Sequence, residues 1–155
     1  MRGRGEREKG YSLVEVILAL GLLGGVMVAI SSMFVIGGRE VKSGKELTEA
    51  LSIAQDIVEE IKTFSYRTTY SFFGASSTST GVTADSSDPS SPAAQWQPGI
   101  DAKLFQGRAR IQVTPIGGPD TPPQMGSADY LRILVTVEWQ EGARSRSVSL
   151  QSLRF

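Results

Sequence analysis

The chain lacks both cysteine and histidine in its 155 residues. Without cysteine there are no disulfides and no thiol nucleophiles, and without histidine the commonest general base and a usual zinc ligand are missing. The chain also has no excess of positive or negative charge, since 16 lysines and arginines balance 16 acidic residues. Nucleic-acid binding is therefore not indicated directly. Because the remaining catalytic residue types are not clustered, we expect no enzyme, no cofactor and no metal site.

Apolar residues are concentrated near the N-terminus. Ten charged and glycine-rich residues, MRGRGEREKG, precede a 26-residue run from Tyr11 to Ile36 in which Glu15 is the only charged side chain. As a helix this run spans about 39 Å, enough to cross a hydrocarbon core of about 30 Å. The basic segment before it and the acidic-leaning region after it predict a cytoplasmic N-terminus by the positive-inside rule.

The pattern becomes one-sided after Arg39. Over residues 37–65, apolar side chains recur at steps of three and four, and charged side chains take the other faces, which is typical of an amphipathic helix. The apolar positions are Leu47, Ala50, Leu51, Ala54, Ile57, Val58, Ile61 and Phe64. We therefore predict one nearly continuous helix from Tyr11 to about Phe64. Three glycines weaken it between its halves and suit a bend there, at Gly37, Gly38 and Gly44.

The remaining residues, 66–155, predict a head built on an antiparallel sheet. Residues 74–99 hold ten serines or threonines and three prolines, so we expect a long irregular loop, too polar to fold on itself. Period-two alternation predicts strands over 108–113, 131–139 and 147–151, each with one buried face. Gly142, within Gln140–Ala143, suits a tight hairpin between the last two strands. The predicted fold class is α+β, with the long helix packed on a small antiparallel sheet.

The segment KGYSLVEVILAL is the most informative motif. An ordinary secretory signal is cut after its apolar stretch at a small-residue site, but this stretch is too long and no such site follows. The conspicuous junction lies before the stretch, between Gly10 and Tyr11. Cleavage there removes residues 1–10 and leaves a new amine on Tyr11, one helical turn from Glu15.

Residues 10–15 resemble the class III leader junction of the type IV pilin-like family. The resemblance implies cleavage after Gly10 by a prepilin peptidase, methylation of the Tyr11 amine by the same enzyme, and pairing of Glu15 with the N-terminal amine of a neighbouring subunit. It also implies the type IV pilin fold. Tyr11 replaces the family's usual phenylalanine, and the helix-breaking proline of many main-fibre pilins is missing. The second departure favours a minor component of the fibre.

The function implied by this resemblance is that of a type IV pilus minor pilin, a structural subunit for assembly, adhesion, motility or DNA uptake. Its partners would be the peptidase, other pilin or pseudopilin subunits and an inner-membrane assembly platform. We expect a single-pass protein of the bacterial inner membrane, with a periplasmic C-terminal domain, that later enters a pilus or pseudopilus. The C-terminal stretch also resembles the final hairpin of PilV-type minor pilins and minor pseudopilins.

Two alternatives to this function remain open. The same leader serves minor pseudopilins of type II secretion systems, and gene context would distinguish them from pilins. A protein of a different class, a single-pass membrane-anchored binding domain, would keep its leader. Glu15 itself has a simpler interpretation, in which it lies at the membrane interface and the spanning segment begins at Val16.

Other candidate residues have a structural explanation beside the functional one. Gly21 and Gly25 form a GxxxG pair of the kind that lets membrane helices approach, but glycine is also simply tolerated there. Four loop aspartates offer oxygen ligands for calcium, although turn formation explains them better: Asp85, Asp88, Asp120 and Asp129. Four arginines suggest a basic stripe or a solvated outer sheet face: Arg108, Arg110, Arg144 and Arg146. Trp96 and Trp139 suggest a ligand site, with Trp139 more consistent with core.

Overall fold

The computed structural model of the chain describes residues 12–155. These residues belong to two units, one reaching Lys42 and one formed by Ser43–Phe155. A 51-residue helix, α1 (Leu13–Thr63), contributes to both, followed by α2 (Tyr66–Ser71) and β1 (Val82–Asp85). A 3₁₀ turn (Pro92–Trp96), α3 (Gln97–Asp101), β2 (Arg108–Ile116), β3 (Tyr130–Glu141) and β4 (Arg144–Arg154) complete the chain. The predicted α+β class is confirmed.

The part of α1 in the second unit buries one face. The positions that the periodicity assigned to the apolar face include most of the buried residues of the helix, which are Ala50, Ile53, Ala54, Ile57, Val58 and Ile61. They belong to the same hydrophobic core as the inward side chains of the sheet. Ala50 and Ala54 are fully buried, and the three isoleucines are the largest of the buried side chains on this face. The helix continues through Gly37, Gly38 and Gly44.

The sheet has four strands in the order β1-β2-β3-β4, and all of its pairings are antiparallel. Burial alternates along β2 and β3, with Ile111, Val113, Ile133 and Val135 facing the helix. The three predicted strands are confirmed, and each is longer than the alternating pattern alone indicated. Glu141 pairs with Arg144 across a two-residue turn, and Gly142 there has a φ of +61°. Type II′ hairpin turns place glycine at this position, because a side chain would be strained there.

The prediction of an irregular segment over residues 74–99 is wrong at two places. Val82–Asp85 forms β1, and residues 92–101 are helical. Ala84 and Ala93 supply buried apolar side chains, and Ser86 is buried with its hydroxyl bonded on both sides. The polar composition was therefore misleading, because the serines satisfy backbone groups that water would otherwise hydrate.

Helix α2 is a second element that the periodicity did not reveal. Ser65 caps its first turn, accepting a hydrogen bond from the Thr68 backbone N–H at 3.2 Å. Its Tyr70 and the following Phe73 are buried in the core. The guanidinium of Arg154, at the end of β4, donates to the Phe64 carbonyl at 2.6 Å. A cation next to the last carbonyls of a helix is favourable, so the end of the chain closes the end of α1.

The four arginines do not form one stripe. Register places Arg108 and Arg110 on the outer face, where they pair with Glu138 at 2.5 Å and with Asp85 at 3.7 Å. Arg146 lies opposite Trp139, and Arg144 lies opposite Glu141. Both arginines are therefore on the inner face of the sheet, which is the face that carries the core residues. The two arginines of each strand do share a face, as their spacing of two residues predicts. The register of the sheet, however, places the pair on β2 and the pair on β4 on opposite faces.

Candidate functional site

The two residues of the predicted cleavage junction, Gly10 and Tyr11, lie outside the described residues. The described chain begins at Ser12, whose carbonyl accepts the first helical hydrogen bond, from Val16 N–H at 3.2 Å. The helix start is thus adjacent to the predicted junction.

Glu15 lies in the first turn of α1. Exposed N–H groups give this end of a helix a partial positive charge, so a carboxylate is stabilised there. Ser12 and Glu15 also have the Ser-x-x-Glu spacing of a capping box, a local signal for this helix start that hydrophobic periodicity does not contain. Position in the first turn therefore gives Glu15 a favourable local environment before any partner is considered.

The surface beside Glu15 is apolar. Glu15 borders a strip of side chains that follow the helix at steps of three and four, formed by Val16, Ala19, Leu20 and Leu23. Leu20 is 62% exposed and Leu23 is 55% exposed. A single carboxylate is therefore set at the edge of a continuous oily surface that the first unit leaves open.

The N-terminal half of α1 is apolar on every side. It is long and apolar enough to cross a membrane, and its apolar window has no buried residue. Leu13, Leu22 and Phe34 are each more than 70% exposed, although they point in different directions around the helix. A helix that is hydrophobic all round belongs in lipid or inside an assembly of other helices. This is the property that a membrane anchor requires.

The two adjacent serines of this stretch carry no unsatisfied donor. Ser31 Oγ donates to the Met27 carbonyl at 2.8 Å, and Ser32 Oγ donates to the Val28 carbonyl at 2.9 Å. In hydrocarbon an unbonded hydroxyl is costly, so bonding back to the preceding turn makes serine compatible with a spanning helix. Serine is a polar residue, but these two hydrogen bonds remove most of the free-energy cost of placing its hydroxyl in hydrocarbon.

The glycines of the apolar half have no close neighbour within the described chain. A Cβ built on Gly21, Gly24 or Gly25 meets nothing within 4 Å. The GxxxG pair therefore remains a prediction about contacts with other helices, alongside simple tolerance of glycine.

Each of the four candidate calcium-binding aspartates accepts a local hydrogen bond. Asp85 accepts from the Ser87 hydroxyl at 2.7 Å, and Asp88 accepts from the Ser90 hydroxyl at 2.7 Å. Asp129 accepts from the Gly118 N–H at 3.0 Å, and Asp120 accepts from the Ser127 hydroxyl. Over residues 12–155 no group of three or more acidic, histidine or cysteine side chains is arranged to hold a metal. Asp85 and Asp88 act as turn formers, and Asp120 and Asp129 form hydrogen bonds across the loop between β2 and β3.

Charge and hydrogen bonding explain the acidity of the first of these aspartates. Burial raises the pKa of Asp85, but hydrogen bonds from Ser87 and the nearby Arg108 and Arg110 outweigh it, so the pKa is lowered. The pKa of Asp88 is lowered chiefly by its hydrogen bonds from Ser90. Both groups therefore stabilise the folded head in their ionised form.

The two tryptophans have different surroundings. Trp139 is 3% exposed and belongs to the core, as its place on the strand predicted. Trp96 is partly buried, packs against Phe72 and Phe73, and donates from Nε1 to Glu60 at 2.7 Å. Trp96 thus connects the 3₁₀ turn to α1, a structural role that its sequence position did not indicate.

Comparison with known proteins gives no relative. No family model, no curated protein and no solved structure matches the chain.

Proposed function

We propose that the chain is a type IV pilin-like subunit, a minor pilin that assembles into a fibre through its N-terminal helix. One observation carries the proposal. A single helix joins an apolar half, open on every side and holding one carboxylate in its first turn, to a half that is folded into a small sheet domain. A subunit that must pass from lipid into a bundle of like helices needs this division of surfaces.

Glu15 gives the proposal its chemistry. A charged residue costs about 2.5–3.5 kcal/mol at the centre of a bilayer-spanning helix on insertion scales, and an ionisable residue within such a helix usually marks a function. Cleavage after Gly10 would place a positive amine on Tyr11, and the amine of a neighbouring subunit would neutralise Glu15 in the fibre core. A buried carboxylate without such a partner is strongly destabilising, because its charge is desolvated and uncompensated. Assembly would therefore be favoured only for processed subunits.

The apolar surface supplies the remaining driving contacts. Lipid tails are as apolar as leucine, so transfer into a helix bundle depends on close packing between helices. The exposed strip beside Glu15 and the satisfied serines meet that requirement without leaving polar groups unpaired. The sheet domain would remain in the periplasm and coat the outside of the fibre. The proposed mechanism is assembly, with prepilin peptidase and an assembly platform as the partners.

The test combines processing with incorporation. The full-length chain is expressed in a bacterium with a prepilin peptidase and a type IV pilus, and mass spectrometry reads the mature N-terminus. We expect a chain that begins at methylated Tyr11 and is found in sheared fibres. Glu15→Leu should be processed normally but lost from the fibres, whereas Glu40→Gln, at an exposed position beyond the apolar run, should leave incorporation unchanged. An intact leader in the wild-type chain, or normal incorporation of Glu15→Leu, would refute the proposal.

A further inference from the structure

Strand β4 is the open edge of the sheet. It pairs with β3 through all eleven of its residues without a bulge, and over residues 12–155 no further strand follows it. The opposite edge is different, because β1 has only four residues. Short edge strands, bulges, prolines and charges are the usual protection against unwanted strand pairing. The β1 edge is protected because the strand is short. The β4 edge is long and regular, so its length and geometry give no such protection.

The direction of the unpaired backbone groups follows from the ladder. Gln140 N–H donates to the Phe105 carbonyl, on the β2 side, so even-numbered β3 residues direct their backbone groups toward β2. The backbone groups of odd-numbered β3 residues therefore point toward β4 and form hydrogen bonds with it. In the register of this pair, odd-numbered β3 residues lie opposite even-numbered β4 residues. The odd-numbered residues of β4 direct N–H and C=O to the open edge. These five positions are Ser145, Ser147, Ser149, Gln151 and Leu153, and all are exposed.

The charges on β4 leave most of the edge unprotected. The strand has no proline and no lysine, and Arg154 is engaged with the Phe64 carbonyl. From Ser147 to Leu153 the strand carries no charged side chain. Arg144 and Arg146 are exposed at its start, where Arg146 contacts Glu141 at 2.8 Å. Because two arginines lie beside one glutamate, the N-terminal end of β4 carries a net positive charge.

The side chains on the helix-facing side extend the core to the open edge. Val148 and Leu150 are partly buried and pack against the core. A strand added beside β4 would cover them further if it presented apolar side chains on that face, with polar ones beside the serines of the other face.

We propose that β4 binds an extended segment of another polypeptide by antiparallel strand addition, with apolar side chains beside Val148 and Leu150 and carboxylates beside Arg144 and Arg146. Backbone hydrogen bonds to the five open positions would supply affinity, and the apolar and acidic positions would supply selectivity. In an antiparallel arrangement the carboxylates fall at the C-terminal end of the segment. A second copy of β4 fits less well, because β4 contains no acidic side chain to place beside Arg144 and Arg146. This proposal goes beyond fibre assembly and does not depend on the leader or on Glu15.

The test uses the full chain in detergent micelles and a synthetic peptide, TVTVTVTETE, acetylated and amidated. Fluorescence anisotropy of the labelled peptide measures binding. Ser147→Pro removes an outward N–H without removing a bond to β3, because proline is tolerated where an edge N–H faces solvent. Ser147→Ala, its matched control, keeps that N–H. We expect Ser147→Ala to bind as the wild type does and Ser147→Pro to bind at least about tenfold more weakly.

A second arm leaves the protein unchanged. N-methylation of the peptide at its fifth residue, whose N–H would face β4, should abolish binding, whereas N-methylation at the fourth residue, whose N–H would face away, should preserve it. Replacing both glutamates by lysine should weaken binding to the wild type, and Arg144→Glu should reduce that difference, because only Arg146 then remains to favour a carboxylate. Equal binding of the two N-methylated peptides, no binding of the parent peptide, or a protein dimer that Ser147→Pro abolishes would each overturn the proposal.

Discussion

Replacing Ser86 by alanine tests whether the serine-rich segment is a structural part of the head. Ser86 is 1% exposed, and its hydroxyl oxygen accepts from Ala109 N–H at 2.7 Å while its proton is donated to Gln97 Oε1 at 2.5 Å. Gln97 in turn donates to the Gly107 carbonyl at 2.8 Å. One buried hydroxyl therefore joins β1, α3 and β2.

The expected cost follows from the groups left behind. Ser86→Ala leaves the buried Ala109 N–H and the Gln97 side-chain oxygen without their partner. An unsatisfied buried donor or acceptor costs about 1–3 kcal/mol, so a loss of about 2 kcal/mol in the free energy of unfolding is expected. For a head of this size that corresponds to a fall in Tm on the order of 10 °C.

Tryptophan fluorescence provides the assay, because Trp96 and Trp139 both lie in the second unit. Thermal unfolding of the full chain in detergent micelles would be compared for the wild type, Ser86→Ala and Ser147→Ala. Ser147 is exposed and lies on the outer strand, so its replacement should leave Tm almost unchanged. A Tm for Ser86→Ala within about 2 °C of the wild-type value, on the order of a few tenths of a kcal/mol, would refute the argument that this hydroxyl holds the loop in place.

Two further predictions concern the core and the surface charges. Ile57 is 1% exposed on the face of α1 that packs on the sheet, so Ile57→Ala should lower the unfolding free energy by about 2–5 kcal/mol, whereas Leu47→Ala, at a half-exposed position, should cost clearly less in the same denaturant titration. Because the pKa of Asp85 is lowered in the folded head, its contribution to stability is present above the unfolded pKa of about 4 and is lost as pH falls through the folded value. Asp85→Asn should therefore flatten the fall of Tm with acidification below pH about 4, and an unchanged slope would contradict the assignment.

Periodicity predicted the parts of the fold in which burial repeats along the chain. The buried positions of α1 and the alternating residues of β2 and β3 were identified because each apolar side chain there returns to the same face. Elements without such a repeat were missed. Strand β1 has four residues, and its stability depends on pairing with β2 and on Ser86, neither of which is visible in local sequence. Long-range register likewise separated Arg108 from Arg146.

The candidate site was predictable to a different extent. A lone carboxylate at the start of an apolar run is visible in composition, and the structure adds that the run is helical, exposed on all sides and internally satisfied at Ser31 and Ser32. Under the proposed function the partner of Glu15 belongs to another subunit, so a single chain would contain only half of that interaction. The same reasoning applies to β4, whose outward N–H and C=O groups are one side of a ladder. If both proposals hold, each surface is completed by another molecule, Glu15 by a cation and β4 by a strand. Because an oily helix and an open edge are costly to leave exposed, their coexistence in one small protein is best explained by two separate docking events.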